Sequence, residues 1–162
     1  MKNILFIILI LFPIILFSQE SQNSSINWLT LSNAEILAKK SKKNMLLFFY
    51  RENCDFCEKM KNQTLTDPEV INLINDNFFP VMLDGKSKKP IIYNGIEYIN
   101  EKSKPEDPPY FHDLFKELVD LKNDNYYWPT IVIVNGEHKK IIQGYGFWPK
   151  EQTLRNLKQI IN

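Results

Sequence analysis

Two cysteines in 162 residues are too few for a disulfide scaffold, and they sit three apart, in Cys54-Asp55-Phe56-Cys57. Two thiols at this spacing at the start of a helix can close a small disulfide ring with little rearrangement. The first then lies at the helix N-terminus, where unpaired N–H groups and the helix dipole stabilise a thiolate. The second lies about one turn inside, placed to attack a mixed disulfide formed by the first. The same spacing is also half of a zinc site, but only His112 and His138 remain to complete four ligands, and their positions do not suggest ligand spacing. We therefore assign no metal. A purely structural disulfide is the other alternative, although a ring this small constrains the unfolded chain little and makes a poor staple. Redox exchange fits the pair best, with no organic cofactor, because the cysteines themselves carry the two electrons.

The elements that must position this pair are read from the flanking sequence. Met45-Leu46-Leu47-Phe48-Phe49-Tyr50 is a continuous apolar run of strand length, which predicts a strand buried on both faces at the centre of an α/β sheet. A helix is expected over residues 57–63. Upstream, Ser32-Asn33-Ala34-Glu35 has the form of a capping box opening a helix over 33–42, which ends in a lysine cluster suited to a helix C-terminus. Downstream, Thr66-Asp67-Pro68-Glu69 predicts another helix, with Thr66 as its cap and Pro68 in its first turn. Further strands are expected at 79–83 and 130–134, and Asn135-Gly136 predicts a tight turn into a partner strand at 139–143. Pro149 opens a closing helix.

Residues 85–110 fit no simple connection. Within them, 91–98 reads as a small hairpin with a type I′ turn at Asn94-Gly95. A stiff proline loop at 104–109 follows, then a helix over 111–121. His112 is expected on a helix surface or in a hydrogen-bonded core position. The whole order predicts an α/β fold, a three-layer α/β/α sandwich with a central mixed sheet and an inserted segment before the strand that follows Pro129.

Composition bounds the function. The chain is 44% apolar and 13% aromatic, enough to bury a core and too much for a disordered chain. Lys+Arg 20 against Asp+Glu 19 leaves no basic surplus to neutralise phosphates, so no nucleic-acid partner is expected. Residues 1–18 read as a signal peptide. Lys2 supplies the positive region and an uncharged apolar run of 14 residues follows, short of the ~20 that span a bilayer. Cleavage after Ser18 leaves a mature domain over 19–162, and an uncleaved N-terminal membrane anchor is the alternative. Either way the domain is exported, to the periplasm or outside the cell. Loss of Lys2 then brings acidic and basic residues level.

The motif pair Cys54-Asp55-Phe56-Cys57 and Tyr127-Trp128-Pro129-Thr130, with Asp67-Pro68-Glu69-Val70 between, resembles the thioredoxin superfamily, in particular its exported thioredoxin-like members. The likeness covers nearly all of the mature chain apart from the insert. It implies a thiol–disulfide oxidoreductase in which Cys54 attacks and Cys57 resolves. It also implies that the Trp128–Pro129 bond is cis, so that the backbone of Trp128 pairs with a client segment while Pro129 offers no ligand to a metal. An ordinary trans proline opening an edge strand is the alternative. The implied partners are client proteins with disulfides and a membrane thiol-electron transporter, with the chain acting as a monomer.

Two departures from the superfamily pattern stand out: Asn53 where many members have tryptophan, and Phe48 where they keep a buried acid, so that a water or Glu52 would have to move the proton. Around Cys54, Glu52, Asp55 and Glu58 oppose a second negative charge, and Asp55-Phe56 lacks the histidine of strong oxidants. Reduction or isomerisation is thus favoured over primary oxidation. The alternative to an enzyme is a binding module of the same fold, with a structural disulfide and an insert that recognises a partner.

Overall fold

The computed structural model describes residues 24–41, 43–99 and 110–161. The leader and its cleavage point, and the proline loop at 104–109, lie outside the described residues. At the centre is strand β1 (Asn44–Tyr50), in which Met45 to Phe49 are each no more than 1% exposed. Side chains alternate along a strand, so β1 feeds two cores. Met45, Leu47 and Phe49 face one, and Leu46 and Phe48 face the other.

Each core is closed by a layer of helices. On the first side lie α1 (Leu31–Lys40), α4 (Asp113–Leu118) and the hairpin β3 (Ile91–Tyr93) and β4 (Ile96–Tyr98). On the second lie α2 (Asp55–Lys59) with a π-helical turn at Met60–Thr64, α3 (Pro68–Asn77) and α5 (Lys150–Ile161). The sheet between them runs β2 (Phe78–Asp84), β1, β5 (Thr130–Val134), β6 (Lys140–Tyr145), with β1 and β2 parallel and the other pairs antiparallel. This is the expected three-layer sandwich with a mixed sheet. No helix among the described residues is long and apolar enough to cross a membrane.

Several local expectations are corrected. The first helix starts earlier, because Thr30 rather than Ser32 caps it, accepting the Asn33 N–H at 3.3 Å. Glu35, released from a capping box, accepts the Asn94 N–H at 2.6 Å and ties the β3–β4 hairpin to α1. Asp67 caps α3, accepting from Glu69 and Val70, whereas Thr66 donates back to the Asn62 carbonyl. An aspartate directly before an N1 proline reaches the orphan donors that threonine one residue earlier cannot. The turn between β5 and β6 is longer than two residues: the Asn135 carboxamide accepts from Glu137 and Lys139, and His138 takes the positive φ of 62°. Gly136 is needed there for close approach, since a Cβ would meet the Ala38 carbonyl. Asn94 and Gly95, at φ 50° and 73°, do supply a left-handed pair for the small hairpin.

The helix expected over 111–121 is shorter, because His112 caps it. Its Nδ1 accepts the Leu114 N–H at 3.0 Å, and its Nε2 donates to the Lys89 carbonyl, also at 3.0 Å. The ring is 1% exposed and, bound in this way, neutral. Burial lowers its pKa, against opposing pulls from the Lys89 carbonyl, Asp113 and Asp84. Below the unfolded value of about 6.5, the unfolded chain therefore binds more protons than the folded one. This contribution to stability is complete above that pH and is lost as the pH falls from there through the lower folded value. Urea unfolding at about pH 7.5 and 5.5 should show a larger loss of stability in the wild type than in His112→Asn, which keeps a capping oxygen. Equal losses in the two proteins would contradict this assignment.

Candidate active site

Strand β1 delivers the chain to a turn at residues 51–53 in which Asn53 takes φ 52°, a left-handed conformation that asparagine tolerates better than most residues. Arg51 fixes the turn, its Nη1 donating to the carbonyls of Glu52 at 3.2 Å and Asn53 at 3.1 Å. Cys54 then caps α2: its Sγ accepts the Cys57 N–H at 3.1 Å, and its carbonyl accepts from Glu58 at 3.0 Å. The two cysteines are joined in a disulfide with Cα atoms 5.2 Å apart. Cys57 is wholly buried, and Cys54 is 5% exposed. Beyond Lys59 the helix widens into its π turn, closed by Leu65 N–H to the Met60 carbonyl at 2.9 Å. Thr64 locks this turn to the segment before α5 by donating to the Trp148 carbonyl at 2.8 Å.

The second motif reaches the same end of the sheet. The antiparallel ladder between β1 and β5 closes at Phe49–Thr130, so Trp128 and Pro129 lie beyond it on the side where β1 runs on toward Cys54. The Trp128–Pro129 peptide bond is cis. Thr130 Oγ1 donates to the Tyr127 carbonyl at 2.6 Å, and the Pro129 carbonyl accepts from Gly146 at 2.8 Å, which holds both sides of the bend. Pro129 is buried and Trp128 half-buried.

Sequence reasoning missed what supports Trp128. Its indole stacks on Phe115 with centroids 4.4 Å apart and planes 10° apart, and lies nearly parallel to Phe111 at 6.2 Å. Gly85 lies against the same indole: a Cβ there would come within 2.8 Å of Trp128 Cζ3 and 2.9 Å of Phe115 Cδ2. Two signals were present, a glycine directly after a strand and a pair of aromatics four apart.

The residues expected to tune the pair are exposed. Phe56 is 59% exposed, and Glu52 and Asp55 also face solvent. The acidic surroundings read from the sequence are partly offset, because Glu58 pairs with Lys61 at 3.0 Å and Arg51 holds the carbonyl next to Cys54. Phe48 is wholly buried, with the Trp28 ring 6.2 Å away. Glu52 stands outside that core, so it does not take the place of a buried acid. Among the described residues, no group of three or more His, Cys, Asp or Glu side chains is placed to hold a metal.

Comparison with known proteins gives the same architecture. A solved structure described as DsbH oxidoreductase superposes with a TM-score of 0.60 at 17% identity, over 89% of this chain and 90% of that one. A thioredoxin from Thermus thermophilus gives 0.58 at 19% identity, over 84% and 87%. A disulphide isomerase from Xylella fastidiosa Temecula1 gives 0.54 at 18% identity, over 81% and 88%. No curated protein matches the chain. The family model described as thioredoxin-like domain matches residues 31–161, from the first residue of α1 to the last of α5. By that match the chain belongs to the thioredoxin-like domain family.

Proposed function

We propose that the chain is an exported thiol–disulfide oxidoreductase that reduces or isomerises disulfides in client proteins, through Cys54 and Cys57. The observation that carries the reading is the Cys57 N–H directed at Cys54 Sγ at 3.1 Å, at a helix start, with Cys57 buried behind it. In the dithiol form that amide is placed to donate to a thiolate at Cys54, which favours it as the attacking sulfur. The fold it shares with structures described as an oxidoreductase and a disulphide isomerase supports the same chemistry.

In the reductive direction the Cys54 thiolate attacks one sulfur of a client disulfide. The client S–S bond breaks, a mixed disulfide forms, and the departing client sulfur takes up a proton. Deprotonated Cys57 then attacks Cys54 Sγ, restoring the Cys54–Cys57 bond and releasing the other client sulfur as a thiol. The client gains two electrons and two protons, and a thiol donor must return them to the protein. We assign that role to a membrane thiol-electron transporter, consistent with export on the leader at residues 1–18. The backbone of Trp128, held by Phe115 and Gly85, and the neighbouring Pro129 receive the extended client segment. The domain acts as a monomer with no cofactor beyond its own disulfide.

Insulin reduction tests the chemistry. Cys54→Ser should fall to the uncatalysed rate, and Cys57→Ser should accumulate clients as mixed disulfides that reductant releases. Turnover that persists without Cys54 would sink the proposal, and a binding module with a structural disulfide would show no cysteine-dependent turnover at all.

The direction rests on Asp55 and Glu52, which disfavour the thiolate and make the disulfide a weaker oxidant. Equilibration with glutathione should give a potential of about −200 mV or below, and Asp55→His should raise it by about 30 mV. A wild-type value near −120 mV, the strongly oxidising end, would reverse the assignment.

A further inference from the structure

Strands β1 and β2 are parallel and in register to Tyr50–Asp84, so the two chains leave the sheet side by side. One continues through Arg51, Glu52 and Asn53 to Cys54. The other turns through Gly85 beneath the Trp128 ring and on to Lys86, Ser87, Lys88 and Lys89. Between them is an open groove of about 680 Å³, lined by both segments. Four of its residues are cationic (Arg51, Lys86, Lys88 and Lys89) and two are acidic (Glu52 and Asp84). The near-neutral charge of the whole chain therefore conceals a local basic surplus beside the disulfide.

The lysine segment is held rather than loose. Gly85 N–H donates to the Tyr50 carbonyl at 2.8 Å and the Gly85 carbonyl accepts from His112 N–H at 2.9 Å. Asp84 Oδ1 accepts from Lys86 N–H at 2.9 Å, and Ser87 Oγ accepts from Lys89 N–H at 3.1 Å. From the core side, the Tyr110 hydroxyl donates to the Ser87 carbonyl at 2.8 Å and buried His112 to the Lys89 carbonyl at 3.0 Å. Lys86 is further placed over the Phe111 ring, 5.5 Å from its centroid. Lys88 and Lys89 are exposed, and neither takes part in an ion pair among the described residues. A buried histidine and a tyrosine thus fix the backbone of a segment whose own side chains face solvent. That arrangement suits charge display better than packing.

We infer that this groove is a specificity surface, and that Arg51, Lys86, Lys88 and Lys89 select client segments carrying aspartate or glutamate beside the disulfide cysteine. The inference rests on the proposed exchange chemistry and adds its substrate class. Complementary charge at a partly enclosed site acts chiefly on the rate of encounter, by factors of about 10 to 1,000 at low ionic strength, and is screened by salt.

The test uses the full mature protein, reduced beforehand, in single-turnover exchange with three disulfides. Two are synthetic peptides of equal length, each with one disulfide, flanked by glutamates in one and by lysines in the other. The third is uncharged hydroxyethyl disulfide, to which each variant's peptide rates are normalised. The wild type should oxidise on the acidic peptide about 10-fold faster than on the basic one at low ionic strength. That ratio should approach unity near 1 M salt, where the Debye length is about 3 Å. Lys88→Glu with Lys89→Glu should invert the preference, and the pair Lys88→Gln with Lys89→Gln should give an intermediate ratio. Equal peptide rates, or a preference indifferent to salt and to charge reversal, would overturn the groove assignment while leaving the redox reading intact if hydroxyethyl disulfide reacts. Failure of all three disulfides to react would overturn both.

Discussion

A strand with no polar side chain along five successive positions has to be covered on both faces, and the architecture follows from that need. Met45 to Phe49 supply apolar surface alternately to either side, so helices must pack above and below. The hydrogen-bonding edges must likewise be occupied, by β2 on one side and β5 on the other. With both faces and both edges filled, the strand's carboxyl end is the place where the chain can emerge. The cysteine pair begins there, on a turn that carries a left-handed asparagine and an arginine bracing two carbonyls. Parallel neighbours end in register, which brings the segment after β2 to the same rim, in the crevice where open α/β sheets commonly bind ligands.

The segment after β2 has two supporting roles. Its glycine admits the Trp128 indole, and its backbone is clasped by Tyr110, the last residue of the insert, and by His112 just beyond it. Phe111 and Phe115, which follow the insert, complete the stack beneath Trp128. The region flanking the insert is therefore structurally continuous with the site. It supports the second motif from below and shapes the approach to the first. A neutral, buried histidine is well suited to this work, because one ring nitrogen caps a helix while the other reaches across to a separate strand's outgoing loop.

Much of this was legible in the residues. The both-faces-buried strand, the helix start at the cysteines, the β3–β4 hairpin and the sandwich all follow from period, length and turn chemistry. Caps were read less well. Ser32 and Thr66 matched a four-residue pattern, yet Thr30 and Asp67 do the capping, since the pattern constrains residue type and not which residue has the extended backbone. Asn135-Gly136 matched a two-residue turn, but the asparagine side chain organises a longer one, and the glycine is there because Ala38 is close. The stack under Trp128 joins positions 85, 111, 115 and 128, and although 111 and 115 are four apart, no spacing rule relates them to 85 and 128. The basic groove was hidden for a related reason. A charge count sums over the chain, and only the register of two parallel strands shows that Arg51 and three lysines some 35 positions later share one rim.

The lysine rim belongs to a connection and not to either core. Lys88 and Lys89 contribute only their backbones to the structure, so their side chains can change sign without disturbing a packed contact or the cysteine pair. On the proposed function, electron transfer and the choice of client fall on separable stretches of chain. On that reading, exchanges of charge at the rim would redirect the choice of client while leaving the sulfur chemistry untouched.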